Sequence, residues 1–362
     1  MAVNTAQLGG RQGARSTGRE LHLIRYPAGT PGPTDFRTVD VEVPEPGPGE
    51  VLVRNTWMSI DPGLRLRMRA ESPDGYFAAL PLAAPVSGVM TVGEVLASQA
   101  EGFAVGDTVS HASGWRDYAV VEAGKVEIGG LGTLRRLDTA LAPPRTFLGV
   151  LGGSGLTAYA GIVRLAALRP GDVVWVSAAA GAVGSLAAQL AKLRGHRVIG
   201  SAGSDEKVAW LRDALGLDAA FNYKSGPLDE LVCEAAPHGI DVYFDNVGGD
   251  HLGAALTALR RGGRVVMCGT ISDYDAPEPP PGPSNLFLAV AKELRLVGLR
   301  GNAHVDLMPE LWREGARWLR AGRITSQETV VDGLENAPAA LARLMRGETT
   351  GKTLVRIAEE SP

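Results

Sequence analysis

The stretch WVSAAAGAVGSLAAQLAK, Trp175 to Lys192, decides how the rest of the chain is read. It lies in a run of nineteen uncharged residues between Asp172 and Lys192, close to the roughly 20 apolar residues that a membrane helix requires. Against a span, turn-favouring Gly181 and Gly184 sit in the middle of the run, small Ala residues dominate it, and no second apolar run follows elsewhere. Two periods divide it instead. Val173 to Ser177 is continuously apolar, as in a buried strand, whereas Val183, Leu186, Ala187, Leu190 and Ala191 recur at helical spacing. The stretch predicts a strand, a tight glycine turn and a helix.

The turn reads Ala179-Ala180-Gly181-Ala182-Val183-Gly184, a G-x-G-x-x-G pattern with Ala in the first glycine place. In such a turn Gly181 lets the backbone approach a pyrophosphate, Gly184 lets the helix pack closely on the sheet, and the amides opening the helix face the anion. A glycine turn alone is structural about as often as functional, so its neighbours carry the weight. Strand-like runs follow it in VVWVS from Val173, RVIGS from Arg197, AAFNY from Ala219, IDVYFDN from Ile240, GRVVMCG from Gly263 and LRLVGL from Leu294, with amphipathic helices between most of them. Six strands with helical crossovers predict an α/β unit with a doubly wound, parallel six-stranded Rossmann sheet.

Before it, from Leu21 to Val121, short β-like runs such as EVLVRNTWMSI are separated by Pro and Gly. Alternation at Val51, Val53, Asn55 and Trp57 puts every second side chain on one face. This half predicts an antiparallel β domain. The tail GLENAPAALARLMRGETTGKTLVRI reads as a helix and a strand that return to it. The expected division is a disordered leader over 1–18, a β unit from 19–146 and 322–362, and the Rossmann unit over 147–321.

At 362 residues two domains are expected. Forty acidic against thirty-six basic side chains, with no dense basic run, exclude nucleic acid as a partner. Cys233 and Cys268 have no C-x-x-C spacing and the six histidines form no H-x-x-x-H pair, so no metal site is expected. The first twenty residues lack the apolar core of a signal peptide. With neither a membrane span nor a disulfide framework, a cytoplasmic protein is expected.

The second strand ends in Gly200-Ser201-Ala202-Gly203-Ser204, without the carboxylate that would bond the ribose 2′-hydroxyl of NAD, and Lys207 follows within a turn. A hydroxyl at Ser204 with a cation at Lys207 suits a 2′-phosphate, which favours NADP. An ordinary solvated helix lysine is the alternative.

These runs, with FNYK, GIDVYFDNVGG, CGTISDY, GLENAPAAL and GKTLV, resemble the zinc-independent medium-chain dehydrogenase/reductases. Within them the chain is similar to the group of leukotriene B4 12-hydroxydehydrogenase/prostaglandin reductase, alkenal double-bond reductases and curcumin reductase. MSIDPGLR, GWRDYAVV and LGGSGLTAY extend the likeness through the first half. The resemblance implies a GroES-like β domain, NADPH/NADP+ without a metal, a homodimer, and reduction of a carbon–carbon double bond conjugated to the carbonyl of a small enone or enal. It carries Gly181, Ala182, Val183 and Gly184 to the pyrophosphate, Lys207 and Tyr223 to the 2′-phosphate, and Asn246 to the cofactor. Cys268, Gly269, Thr270, Ile271 and Ser272 would run beneath the cofactor, with Leu299, Arg300, Gly301, Thr349 and Thr157 around the nicotinamide. Tyr274 would donate a hydrogen bond or proton at the substrate oxygen. Plainer roles stand beside these: a tight turn at Asn246, a small buried residue at Cys268, a helix cap at Thr157 and an exposed loop tyrosine at Tyr274.

The chain departs from the group's pattern where substrate is expected. Gly63 replaces the Tyr of S-V-D-P-Y-M-R, Arg300 an apolar residue, Thr349 an Asn, and Ser154 a Thr. Loss of an aromatic at Gly63 and gain of a cation at Arg300 imply a looser pocket for a bulky or anionic substrate, unless Arg300 points to solvent or pairs with an acid. A quinone or carbonyl oxidoreductase, or a protein that binds NADPH without turnover, are the alternatives, because a fold does not fix a substrate.

Overall fold

A computed structural model describes residues 17–278 and 280–360. The amino-terminal half contributes β1 (Thr17–Leu23), β2 (Phe36–Glu42), β3 (Glu50–Ile60), β4 (Ala84–Pro85), β5 (Thr91–Ser98), β6 (Thr108–His111), β7 (Tyr118–Glu122) and β8 (Arg135–Arg136). The middle runs through α1 (Gly153–Ala160), β9 (Val173–Val176), α2 (Ala182–Leu193), β10 (Arg197–Ala202), α3 (Asp205–Asp213), β11 (Ala219–Asn222), α4 (Leu228–Ala235), β12 (Ile240–Asp245), α5 (Gly249–Ala258), β13 (Leu259–Met267), α6 (Phe287–Ala291), β14 (Arg295–Gly298) and α7 (Met308–Arg320). The tail adds β15 (Glu328–Asp332), α8 (Ala337–Met345) and β16 (Lys352–Arg356).

The stretch Trp175 to Lys192 forms the end of β9, its turn and α2, as its two periods predict. Both faces of β9 are covered, which is why it carries no polar alternation. Val174 and Val176 pack with Leu186, Ala187, Leu190 and Ala191 of α2. On the other face Trp175 stands among Phe221 and Tyr243, ring centres 5.9 and 4.5 Å away, and donates its indole N–H to Ser201 Oγ at 3.1 Å. Charges are absent because this segment has no exposed face to put them on. Among the described residues no helix is long and apolar enough to cross a membrane.

All six strands of the second unit pair in parallel, in the order β11-β10-β9-β12-β13-β14. The order reverses between β9 and β12, so a crevice opens there at the carboxyl ends of the strands. The first unit is a mixed sheet, β15-β16-β3-β5-β6-β8 with β7 also on β3, beside a three-stranded β2-β1-β4 sheet. As expected, the tail helix and strand return to this unit. β16 runs antiparallel to β3, while β15 joins β16 in parallel, so the sheet is not purely antiparallel. β3 is buried along nearly its whole length, not on alternate residues, because both of its faces are covered and its ladder with β5 shifts register twice. β1 begins at Thr17, two residues inside the stretch read as a leader, and residues 1–16 lie outside those described.

The two units touch along the turn that opens α2. Gly351 N–H donates to Ala180 O at 2.8 Å, and Gln189 Nε2 and Oε1 bond the Thr325 backbone at 3.1 and 2.7 Å.

Candidate functional site

Gly181 caps α2, and its own N–H closes a turn onto Ala178 O at 2.9 Å. The first amides of a helix have no carbonyl four residues earlier to bond, so those of Ala182, Val183 and Gly184 are the available donors. A Cβ at Gly184 would lie 2.3 Å from Ala178 O, whereas at Gly181 the nearest atom would be that same oxygen at 3.2 Å. Gly184 therefore serves packing and does not reach a cavity, while Gly181 lines a cleft. Ala178 holds a left-handed φ of 45°, a strain placed at the turn itself that the glycine pattern does not reveal.

That cleft has a volume of about 570 Å³ and is lined by residues following β9, β10, β11, β12 and β13. Lys207, Tyr223, Ile271 and Ser272 line it, and so does Thr349, which the resemblance puts by the nicotinamide. Lys207 Nζ donates to Gly347 O at 2.6 Å, and burial with the nearby Lys224 charge lowers its pKa. Gly203 lets Tyr223 lie close, since a Cβ there would be 3.1 Å from the ring. Lys224, Arg346 and Gly347 also line the cleft and were not expected. The signal for Lys224 was available in the FNYK run; Arg346 and Gly347 arrive only through the returning tail.

Several expected contacts lie behind the wall. Ser204 caps α3, accepting from Lys207 N–H at 3.3 Å. Asn246 is tied to β9 through its own N–H to Ser177 Oγ at 2.9 Å and its Nδ2 to Ser177 O at 2.7 Å. Its neighbour Asp245 accepts from Val247 and Gly248 N–H and from the Tyr243 hydroxyl, building the tight turn that was the plainer reading. Gly269 and Thr270 continue this packing: Gly269 N–H donates to Asp245 O, and a Cβ at Gly248 would meet Thr270 Cγ2 at 2.8 Å. Ala182 faces a small notch beside Lys352 and Thr325.

A second cavity, of about 240 Å³, begins at Val183, two residues beyond Gly181. Gly63, Thr157 and Arg300, read from the sequence as substrate residues, line it together with Cys268, Leu299 and Gly301, read from it as cofactor residues. Burial pushes the Cys268 thiol up to about 12, so it is a neutral wall residue. Thr157 does not cap α1; its Oγ1 bonds back to Gly153 O at 2.8 Å. Gly301 is a close approach and not a flexible joint, because a Cβ there would lie 2.1 Å from Thr157 Oγ1.

Tyr274 is on the wall of neither cavity. Arg69 holds its carbonyl at 2.6 Å, buried Arg65 holds the next residue, Asp275, at 2.9 Å, and the ring packs over Gly269. Burial and neighbouring acidic groups raise its phenol, which stays protonated near neutrality.

At Gly63 the space is not empty. A Cβ there would lie 2.6 Å from the Tyr76 hydroxyl, so the volume lost with the group's aromatic is refilled from a loop thirteen positions on. Arg300 is exposed to solvent and, among the described residues, pairs with no acid. Its Nη1 donates to Gly75 O at 2.5 Å, and its guanidinium lies 5.9 and 5.2 Å from the Tyr76 and Phe77 ring centres. The pocket expected to be looser at Gly63 is thus narrowed by Tyr76, and the cation expected at its rim stays there with its guanidinium against the same loop. Tyr76, Phe77, Arg67 and Asp61 are cavity residues that the expected site lacks. Asp61 stood in a matching motif, but nothing periodic marks Tyr76.

Among the described residues no group of three or more His, Cys, Asp or Glu could hold a metal. The donor set does fit a dinucleotide phosphate: the bare-backbone turn at Gly181, which caps the amino end of α2, and a cation at Lys207 line one cleft.

Residues 19–128 match the family model of the N-terminal domain of oxidoreductase, and residues 182–320 that of zinc-binding dehydrogenase. Prostaglandin reductase 1 of Bos taurus is 38% identical over 350 residues, covering 95% of this chain and 99% of that one. The NADP(+)-dependent 2-alkenal reductase of Nicotiana tabacum is 36% identical over 347 residues, covering 94% and 98%. Among solved structures, CurA of Vibrio vulnificus in complex with NADPH superposes with a TM-score of 0.86 at 33% identity, over 94% of this chain and all of that one.

Proposed function

The chain belongs to the zinc-independent medium-chain dehydrogenase/reductases and is an NADP-dependent oxidoreductase of the group that includes the prostaglandin and alkenal reductases, and on that premise we propose that it reduces the carbon–carbon double bond of small α,β-unsaturated ketones and aldehydes. The observation that carries this reading is the junction of the two cavities. The large cleft ends, and the 240 Å³ cavity begins, within the same Gly181–Val183 turn, so a dinucleotide along the first presents its reactive end to the second. The smaller cavity is walled largely by apolar side chains such as Leu64, Met90, Leu131 and Leu148, which suits an uncharged alkene.

Bound NADPH supplies the hydride that adds at the β-carbon. Gly181 and the α2 amides receive the pyrophosphate, while Lys207 with Tyr223 receives the 2′-phosphate. The walls formed by Val183, Cys268 and Leu299 exclude water and hold the alkene against the cofactor. Charge then collects on the carbonyl oxygen, and the α-carbon takes its proton from Tyr274 or from water. For Tyr274 to act, the loop over Gly269 must present its phenol to the cavity.

We further propose a homodimer, on an exposed edge of the parallel sheet. Among the described residues β14 is paired on one side only, and near it Phe287 and Val290 of α6 are 75% and 70% exposed, an edge that a second copy would cover. Cys233 and Cys268 are both free, which suits a cytoplasmic, reducing setting.

NADPH consumption with product identification over enals, enones and quinones tests the reading. Saturation of the alkene at the β-carbon is the expected result; turnover of quinones alone, or of nothing, would overturn it.

A further inference from the structure

Two of the departures from the group's pattern, Gly63 and Arg300, converge on one side chain. Tyr76 lines the smaller cavity, its hydroxyl makes no hydrogen bond among the described residues, and that hydroxyl occupies the space a side chain at position 63 would need. The loop carrying it is held from both units. Arg67 donates to Ala78 O at 3.0 Å and to Ser87 O at 2.9 Å from the β unit, and Arg300 donates to Gly75 O from the end of β14. Phe77 braces the ring edge-on at 4.9 Å. We propose that Tyr76, seated in the volume vacated at Gly63 and positioned by Arg300, is the hydroxyl that donates a hydrogen bond to the substrate's carbonyl oxygen in this chain.

The chemistry follows from what surrounds the hydroxyl. The hydroxyl opens onto the cavity, where solvent can accept its hydrogen bond until an occupant displaces it, and a conjugated carbonyl brings an acceptor in the same place. Burial and Asp61 keep the phenol protonated, while Arg67 and Arg300 add positive potential where the enolate oxygen forms. Asp61 does not cancel this: Lys352 Nζ lies 2.5 Å from one of its oxygens and Ser59 donates to the other. Tyr76 keeps its proton; the bond it offers strengthens as charge moves to the oxygen. Arg300 has one face against the rings and Nη1 on Gly75, so the occupant favoured is a compact neutral enal or enone and not a carboxylate-bearing one.

The inference rests on the enone-reductase reading, and a double-mutant cycle separates the two. Tyr76→Phe is expected to lower kcat roughly 100-fold while the NADPH Kd, followed by fluorescence, stays as in the wild type and reports an intact fold. Gly63→Ala should also lower kcat, since its Cβ would meet the hydroxyl oxygen at 2.6 Å. In the Tyr76→Phe background it should cost little, because the next atom, Cζ, is 3.8 Å away. Arg300→Ala should lower kcat in the wild-type background and add nothing to Tyr76→Phe, with Arg300→Lys restoring part of the loss. Wild-type kcat in Tyr76→Phe, or an equal cost of Gly63→Ala in both backgrounds, would overturn the inference alone. A wild-type protein that saturates no enal or enone would overturn the reading and the inference together.

Discussion

Gly181 and Gly184 stand three residues apart in one motif, yet a methyl group at each should fail in a different assay. At Gly184 the new Cβ would lie 2.3 Å from Ala178 O, 2.9 Å from Ala178 C and 3.0 Å from Ala179 Cα. All three are backbone atoms, and the closest is about 1 Å inside ordinary van der Waals contact. Since no flexible side chain can yield, α2 must lift from the turn, at a cost of about 1–3 kcal/mol, of which the better helix propensity of Ala returns about 0.5–1. Gly184→Ala should therefore lower the thermal midpoint of the cofactor-free protein by several degrees. Gly181→Ala meets only Ala178 O at 3.2 Å and otherwise faces the cleft, so its stability should stay within about 0.5 kcal/mol of wild type and its midpoint should barely move. Its methyl would stand where the pyrophosphate must approach, and the NADPH Kd should rise tenfold or more, about 1.4 kcal/mol. Differential scanning fluorimetry without ligand and NADPH fluorescence titration read the two effects separately. A Gly184→Ala protein that melts like wild type, or a Gly181→Ala protein that binds NADPH like wild type, would refute the assignment of one glycine to packing and the other to ligand.

Lys207→Ala should weaken NADPH roughly 10- to 100-fold while leaving NADH nearly unchanged, because the lost partner is a charge-assisted bond to the 2′-phosphate; equal weakening of both in parallel titrations would argue against that role. His111 is buried, accepts Ser113 N–H at Nδ1 and bonds Asn55 Oδ1 through Nε2, and burial followed by Arg116 depresses it to about 3. The unfolded chain then binds this proton first, so the stability is whole above pH ~6.5 and declines as pH falls toward 3, by at most about 1.4 kcal/mol per unit. His251, depressed to about 4, acts in the same direction. Urea midpoints at pH 7 and 4.5 should differ, and His111→Gln should flatten the decline; identical midpoints would count against the buried neutral ring. Phe287→Glu should convert a dimer to a monomer in light scattering, an expectation that fails if the wild type is already monomeric at micromolar concentration.

The order of strands and helices around Trp175–Lys192 was legible because burial on both faces of β9 and on one face of α2 leaves different periods in the chain. The same logic misled at β3, where alternation at Val51, Val53 and Asn55 suggested one covered face while both are buried. Asn246 and Tyr274 were legible as motif members but not as wall residues. Whether a motif side chain turns toward a cavity depends on Ser177 for one and on Arg65 and Arg69 for the other's loop, partners about seventy to two hundred residues distant in the chain.

By itself the sequence determined the doubly wound unit, the turn that opens the large cleft, and the cation at Lys207 beside it, since each is written in a contiguous segment whose local period or composition suffices. Only the tertiary structure decided that Gly63, Tyr76 and Arg300 form one wall, that Gly301 is a packing glycine, and that Arg346 and Gly347 reach the cleft. Those residues come together when loops of two units close on each other, and such contacts leave no periodic trace along the chain.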